Sequence, residues 1–169
     1  MMLSAGYVAS APGADLAPTA TFVQAGIGVQ RTTAYTIGLA WDLPWHHDFM
    51  FGRLGVYAEA AIGRWHVDGR GEATAWPTQI SATPTLRLYP AHASHWFAEM
   101  GVGANYIVPI FHSGDKRFST KFNFGDHVAI GRSFGHSEVS IRIEHFSNAG
   151  IDHPNPGENF GQLRYAYRF

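Results

Sequence analysis

The sequence contains no cysteine, which excludes disulfide bonds and thiolate metal ligands. It also lacks a charge excess, since 12 lysines and arginines stand against 13 aspartates and glutamates, for a formal net charge of -1. This balance does not support a broad electrostatic attraction to nucleic acid. No apolar run approaches the roughly 18 residues that a transmembrane helix needs. The composition therefore disfavours a disulfide scaffold, a nucleic-acid-binding protein and a helical membrane protein.

Strand-forming and turn-forming residues are abundant instead. Aromatic residues make up 14% of the chain, which also has 19 glycines and 9 prolines. A length of 169 residues suits one domain. Residues 1–18 are small, mostly apolar and without a basic n-region, and we interpret them as a leader remnant or a mobile N-terminal arm. Residues 19–169 then form a single domain.

From residue 20 onward, apolar and polar residues alternate in segments that are separated by turn residues. Such alternation is typical of β-strands with two unlike faces. About eight strands are predicted in this way, near residues 20–30, 33–43, 53–66, 78–89, 95–106, 121–133, 139–147 and 159–169.

The polar faces of these strands carry as many bases as acids: Arg87, Arg142, Arg164, Glu59, Glu99 and Glu144. Paired charges can fill a narrow polar interior, whereas unpaired charges would be very costly to bury. The opposite faces are almost purely apolar, as a membrane barrel requires of its exterior. The alternative is a soluble β-sandwich whose apolar faces meet. We favour an all-β fold, an eight-stranded antiparallel transmembrane β-barrel with a polar interior and an apolar exterior, which is too narrow for a porin channel.

The end of the chain supports a membrane barrel. The alternating segment 165–169 finishes on Phe169 and resembles the closing strand of bacterial outer-membrane proteins, which predicts a location in the bacterial outer membrane. Aromatic residues fall near both sets of strand ends, as interfacial belts do: Trp41, Tyr89, Trp96 and Phe169 at one end, and Trp65, Tyr106 and Phe122 at the other. Pro84 inside a strand predicts a bulge or a broken ladder.

An even number of strands places both termini on one side, which is the periplasm by the usual convention for such barrels. The loops near 31–33, 67–77, 107–120 and 148–158 then face outward. The turns near 44–52, 90–94 and 134–136 face the periplasm.

A potential base and a potential nucleophile stand at the end of the seventh strand. His145 and Ser147 have the parity of the apolar residues Val139, Ile141 and Ile143, so they lie on the apolar face. Two residues along a strand span about 6.7 Å, so the two side chains can bend toward each other. A serine hydroxyl becomes nucleophilic when a base takes its proton, which predicts chemistry on an apolar substrate.

A third group must hold the imidazole in one tautomer, and the next strand offers two candidates. Parity counted back from Phe169 turns Asn159 outward and Glu158 inward. If Ser147 pairs with Asn159, then His145 lies opposite Gly161 and diagonal to Asn159. Alternatively, a bulge near Gly157 turns Glu158 outward.

The segments His145–Gly150 and Pro154–Asn159 resemble the active-site hairpin of the lipid A 3-O-deacylases, PagL-type outer-membrane enzymes. The resemblance implies an eight-stranded barrel with a Ser-His-Glu triad on its membrane-facing exterior, which removes the ester-linked acyl chain at position 3 of lipid A. It implies that His145 is the base and Ser147 the nucleophile. The family's acidic residue falls on Asn159 and not on Glu158, and Asn is also known to orient a catalytic histidine.

The loop after Ser147 supplies candidates for stabilising an oxyanion. Backbone N–H groups near Ala149 and Gly150, or Asn155, are suitable donors. Asn148 and Asn155 either position the substrate or build a tight loop through turn chemistry.

Several other polar residues have weaker interpretations. Asp126 has the parity of its apolar neighbours, so either a bulge turns it inward or it lies on the surface beside the strand of His145; a structural role is favoured. Lys116, Arg117 and Lys121 are candidates for contacts with lipid A phosphates, or for a solvated loop. His46 and His47 lack further ligands at metal-binding spacing, so neither a metal nor any other cofactor is predicted.

Three functions remain open on the sequence. The favoured one is a carboxylic ester hydrolase acting on lipid A, with lipopolysaccharide and the outer membrane as partners. The others are a non-catalytic small barrel, such as an adhesin or a structural protein, and a phospholipase or acyltransferase acting on another lipid. A homodimer that shares a surface over the site is compatible with the sequence, which carries no signal for it.

Overall fold

The alternating segments form a closed antiparallel barrel in the computed structural model, which describes residues 17–29, 32–67, 76–93, 95–113 and 116–169. Eight long strands close the barrel in the order β1-β10-β9-β8-β5-β4-β3-β2, and a two-stranded hairpin, β6-β7, lies in the connection between β5 and β8. The predicted eight-stranded antiparallel barrel is confirmed. The strands are β1 Ala20–Gly28, β2 Thr33–Phe49, β3 Gly52–His66, β4 Thr78–Pro90, β5 Trp96–Val108, β6 His112–Ser113, β7 Lys116–Arg117, β8 Phe122–Phe134, β9 Ser137–Ser147 and β10 Glu158–Arg168.

The two ends of the barrel differ. We call the end with the long connections, including 109–121 and 148–157, the loop end, and the opposite end, where β10 finishes, the turn end. Of the predicted N-terminal arm, only Ala17 and Pro18 lie within the described residues. No helix in the described part of the chain is long and apolar enough to cross a membrane.

Burial alternates along the strands, with apolar side chains outside and polar ones inside. Ile141 and Ile143 of β9 are 63% and 62% exposed, whereas the neighbouring Arg142 is 3% exposed. The six charged residues predicted to face inward are all buried. The inverted polarity of a membrane barrel is therefore present, and the sandwich alternative is wrong because its apolar faces would be buried.

A chain of ion pairs fills the middle of the barrel. Arg142 binds the Glu59 carboxylate through two nitrogens, at 3.1 and 3.2 Å, and Arg164 Nη2 lies 2.6 Å from Glu59 Oε1. Arg87 bridges Glu99 at 2.5 Å and Glu138 at 2.9 Å. These contacts link strands from opposite walls of the barrel, so the interior is a packed polar core and not a channel.

An aromatic cluster closes the interior at the loop end. Trp65 is fully buried, and its ring centroid lies 5.0 Å from that of Phe146 and 4.8 Å from that of Phe160. Trp65 Nε1 donates a 2.9 Å hydrogen bond to Gln79 Oε1. The prediction that Trp65 belongs to an interfacial belt is wrong, because its parity turns it inward, where its N–H finds a partner.

Two local features differ from the predicted strands. The turn expected at 44–52 is much shorter, because β2 continues to Phe49 and β3 begins at Gly52, with a register shift between Asp42 and His46. Pro84 lies opposite Ala58 of β3. On its other side, the pairing of β4 with β5 is interrupted between Ala82 and Thr85, and the register is the same before and after the interruption. The ladder is thus broken without a bulge, since proline has no N–H to donate.

Glu59→Gln is expected to lower the free energy of unfolding by about 3 kcal/mol, because Arg164 would lose its buried carboxylate partner and Arg142 would keep only the more distant Glu99. Glu144→Gln is the matched control. Glu144 is also buried, but it accepts a hydrogen bond from the neutral Gln24, so its replacement should cost less. Urea unfolding of both variants in detergent, followed by gel mobility, measures the difference; equal losses would contradict the assignment of Glu59 as the centre of the network.

Candidate active site

The last three residues of β9 place a histidine and a serine on the outer surface of the barrel. Phe146 lies between them and is 1% exposed, packed into the aromatic cluster. Because neighbouring side chains of a strand point to opposite faces, the burial of Phe146 turns His145 and Ser147 outward. Both are half-buried.

His145 is held by a hydrogen bond from the neighbouring strand. Asn159 of β10 pairs directly with His145, and Asn159 Oδ1 lies 2.7 Å from the imidazole Nδ1. An amide oxygen can only accept, so Nδ1 must carry the proton, which leaves Nε2 unprotonated in the neutral ring. Asn159 therefore fixes the tautomer in which Nε2 is able to act as a base.

The strand register differs from the predicted one by two residues. The prediction placed Asn159 opposite Ser147 and Gly161 opposite His145, whereas Gly161 lies opposite Ile143. Asn159 is consequently a direct neighbour of the imidazole and not a diagonal one.

Glu158 points into the barrel and does not approach the outer surface. Its side chain is fully buried, and its Oε2 accepts a 3.0 Å hydrogen bond from Lys116 Nζ. The alternative in which a bulge near Gly157 turns Glu158 outward is therefore wrong: Gly157 adopts φ +66°, but the inward parity of Glu158 is kept.

Gly157 lies directly against the imidazole ring. A Cβ at this position would come within 2.6 Å of His145 Cε1 and 3.2 Å of Nε2. Only glycine combines this close approach with a left-handed backbone at low cost. The glycine thus allows the backbone before β10 to pack on the ring.

Ser147 is not hydrogen-bonded to His145 among the described contacts. Its Oγ instead accepts a long, 3.5 Å contact from the N–H of Ala149. The two side chains share one face at the spacing of alternate strand residues, about 6.7 Å along the strand, so their polar atoms must approach each other before a proton can pass. Catalytic hydrogen bonds are often long in free enzymes and shorten when substrate is bound.

Asn148 organises the loop that follows the serine. It is 1% exposed, its Nδ2 donates to Ser119 Oγ and to the Asp152 carbonyl, and its Oδ1 accepts from the N–H of Gly150. A 3.1 Å bond from the N–H of Ile151 to the Asn148 carbonyl closes a tight turn. Of the two interpretations of Asn148, the geometry shows the loop-building one.

These loop contacts determine which oxyanion donors remain available. Ala149 and Gly150 occupy the middle of the turn with φ +54° and +79°, as a type I′ turn requires. The N–H of Gly150 is already used by Asn148, whereas that of Ala149 points toward Ser147 Oγ. Asn155 accepts from the N–H of Asn148 through Oδ1, which leaves its Nδ2 as a candidate donor.

The connection between β5 and β8 braces the same loop from the side. Ser119 binds Asn148, and Lys116 Nζ reaches both the Gly157 carbonyl, at 3.3 Å, and Glu158. Lys116 is thus an internal clamp; Arg117 and Lys121 of this connection are exposed. Sequence reasoning missed Ser119 and the clamp, because the pairing spans 42 positions along the chain and no local pattern encodes it.

An apolar groove adjoins His145 on the outer surface. It has a volume of about 620 Å³ and runs across several strands. Its walls are mostly aliphatic, with Leu86, Met100, Val102, Val128 and Ile143 beside His145. Such a groove suits a hydrocarbon chain better than a polar ligand.

A metal centre finds no support in the described part of the chain. No group of three or more His, Asp or Glu residues there could hold a metal ion. His46 and His47, the pair considered from the sequence, lie in the extended β2–β3 hairpin.

Comparison with solved structures agrees with this fold. The chain resembles the crystal structure of the outer membrane enzyme PagL with a TM-score of 0.77 and 27% identity, over 89% of this chain and 99% of that one. It also resembles the Yersinia pestis outer membrane protein Ail, with a TM-score of 0.52, over 89% of this chain and 99% of that one; at 13% identity this shows the barrel fold alone.

Two curated proteins are similar over most of their length, and both are named lipid A deacylase PagL. The one from Bordetella bronchiseptica is 38% identical and aligns with 85% of this chain and 80% of its own. The one from Pseudomonas aeruginosa is 31% identical and aligns with 96% of this chain and 91% of its own. The family model described as lipid A 3-O-deacylase (PagL) matches residues 32–168. The chain therefore belongs to the lipid A 3-O-deacylase (PagL) family of outer-membrane barrel enzymes.

Proposed function

We propose that this protein is a lipid A 3-O-deacylase in which Ser147 is the nucleophile, His145 the general base and Asn159 the residue that orients the base. The observation that carries the proposal is the 2.7 Å contact between His145 Nδ1 and Asn159 Oδ1 on the apolar outer face, with Ser147 two residues further along the same strand. A base oriented by a third group beside a hydroxyl is the arrangement that nucleophilic acyl transfer requires.

The proposed reaction proceeds in two steps. His145 Nε2 takes the hydroxyl proton as Ser147 Oγ attacks the ester carbonyl, and the resulting oxyanion is bound by the N–H of Ala149 and by Asn155 Nδ2. The imidazolium then gives its proton to the leaving sugar oxygen, and the acyl group stays on Ser147. Water, activated by the same imidazole, hydrolyses the acyl-enzyme and restores the serine.

The surroundings of the site favour a lipid substrate over a soluble ester. The hydroxyl and the imidazole lie on a face whose other residues are mostly apolar, and the groove of Met100, Val102, Val128 and Ile143 begins at the imidazole. We assign the groove to the acyl chain. The site lies at the loop end of the barrel, which faces the outer leaflet in the usual orientation of such barrels; ester bonds of lipid A lie at that depth.

The asparagine at position 159 distinguishes this chain from the acidic residue that the family resemblance places there. An amide oxygen fixes the tautomer as well as a carboxylate does, but it carries no net charge to stabilise the imidazolium. The imidazolium therefore needs a source of negative charge other than residue 159.

Ser147→Ala is expected to reduce release of the 3-O-linked fatty acid by at least about a thousandfold, since removal of the nucleophile of a serine hydrolase lowers kcat by about six orders of magnitude. The barrel should remain folded, because the hydrogen bond that the hydroxyl makes within the described part of the chain is long, at 3.5 Å from the N–H of Ala149. Mass spectrometry of lipid A and of phospholipids after incubation with both proteins reports the substrate and the bond together.

Full activity of the Ser147→Ala variant would refute the proposed nucleophile. Loss of acyl chains from phospholipids alone would replace lipid A by another lipid as the substrate. Activity toward neither lipid in the unmodified protein would favour a non-catalytic barrel.

Gly157→Ala is expected to lower activity by about one to two orders of magnitude, because the new methyl group collides with the imidazole ring. Gly135→Ala is the matched control: Gly135 has a similar φ of +63°, but nothing lies within 4 Å of its would-be Cβ. Both variants should lose about 1 kcal/mol of stability from the left-handed backbone. Comparison of their deacylation rates and unfolding midpoints separates backbone strain from the contact with His145; equal rates would show that the contact is irrelevant.

A further inference from the structure

A carboxylate stands on the lipid-facing surface, next to the imidazole. Asp126 of β8 pairs directly with His145 of β9, and Asn159 of β10 pairs with His145 on the other side. Asp126 is exposed and its side chain lies on the outer face, so the alternative in which a bulge turns it inward is wrong. Three polar side chains, Asp126, His145 and Asn159, thus form one row across three adjacent strands.

The position of Asp126 is unfavourable for a purely structural carboxylate. Phe124 and Val128 flank it along β8, and Val102 is its partner on β5. Within the described part of the chain, it makes no hydrogen bond or ion pair that would compensate its charge. Charges on the lipid face of a barrel cost free energy, and an ionisable residue kept in such a place indicates a function.

The neighbouring imidazole of His145 gives the Asp126 carboxylate a function, because it becomes positively charged during the proposed reaction. When His145 takes the proton of Ser147, a cation forms beside the apolar groove, where water screens charges poorly. Asn159 accepts the hydrogen bond from Nδ1 but contributes no negative charge. The Glu158 carboxylate acts on His145 from inside the barrel, but it is already paired with Lys116 Nζ at 3.0 Å. Directly paired residues on adjacent strands have Cβ atoms about 4.5–5.5 Å apart, so Asp126 is close enough to stabilise the cation, and the groove that begins at His145 includes it as well.

We infer that Asp126 is a positioning residue that supplies the negative charge for the His145 imidazolium, while Asn159 fixes the tautomer. This inference rests on the proposed function. In a Ser-His-Asp triad, a single carboxylate both orients the imidazole and stabilises the imidazolium. Here the two tasks are divided between Asn159 on β10 and Asp126 on β8. The favoured sequence-based interpretation of Asp126 as structural is replaced by this role.

Asp126→Asn is expected to reduce kcat for lipid A about tenfold or more with KM changed less than about twofold, because the charge acts only once the imidazolium forms. The acid limb of the pH–rate profile should move to lower pH, since loss of a nearby negative charge favours the neutral imidazole.

Asp126→Glu keeps the charge and should retain most of the activity. Arg132→Gln is the matched control for loss of a charge on the same outer face of β8, since Arg132 contacts the rings of Trp96 and Phe134 far from the groove.

A double-mutant cycle with Asn159→Glu separates this role from a structural one. A glutamate at position 159 supplies the charge from the other side, so Asp126→Asn should then cost less than about threefold. A tenfold loss in both backgrounds, or an unmoved pH profile, would overturn the inference, as would full activity of Asp126→Asn. If that variant does not fold, Asp126→Ser makes the same test.

The Ser147→Ala variant distinguishes failure of this inference from failure of the proposed function. Ser147-dependent deacylation that is insensitive to Asp126 overturns only the role of Asp126. Deacylation that does not depend on Ser147, or none at all, overturns both.

Discussion

The buried ion pairs around Glu59 fix which face of each strand is inside, and the rest of the structure depends on that choice. Arg142 on β9 and Arg164 on β10 both bind Glu59 on β3, so neither strand can turn over without leaving charges unpaired in the interior or in lipid. With Arg142 inside, His145 is necessarily outside, because three positions along a strand reverse the face. The orientation of the site is thus set by a contact on the opposite side of the strand.

Around this constraint, the site is assembled from three adjacent strands and two loops. Asn159 and the backbone of Gly157 hold the imidazole from the β10 side, and Asp126 approaches it from β8. The loop after Ser147 is rigid because Asn148 is bonded within it and to Ser119. The groove beside His145 is lined mostly by aliphatic side chains, so these polar contacts are what pre-organises the reacting groups.

The alternation of apolar and polar residues was sufficient to predict the barrel, the inward charges and the outward His145 and Ser147, because parity depends on local sequence alone. Register depends on the length and shape of the loop, so the pairing of Asn159 was predicted two residues away from its place. The extended β2–β3 hairpin was missed because His46, His47 and Asp48 interrupt the apolar pattern without ending the strand. The Lys116 clamp joins residues distant in sequence, which periodicity cannot reveal. Parity allowed Asp126 to lie beside the strand of His145, but its direct pairing with His145 depends on register.

We propose that Ser147 is an activated hydroxyl that faces hydrocarbon. The decisive measurement is labelling of the folded protein in detergent with alkyl fluorophosphonates, followed by peptide mass spectrometry. We expect one adduct, on Ser147, that forms faster with a long-chain probe than with a short-chain probe because the apolar groove begins beside His145. The adduct should be lost in a His145→Ala variant. Labelling at another residue, or none with either probe, would contradict it.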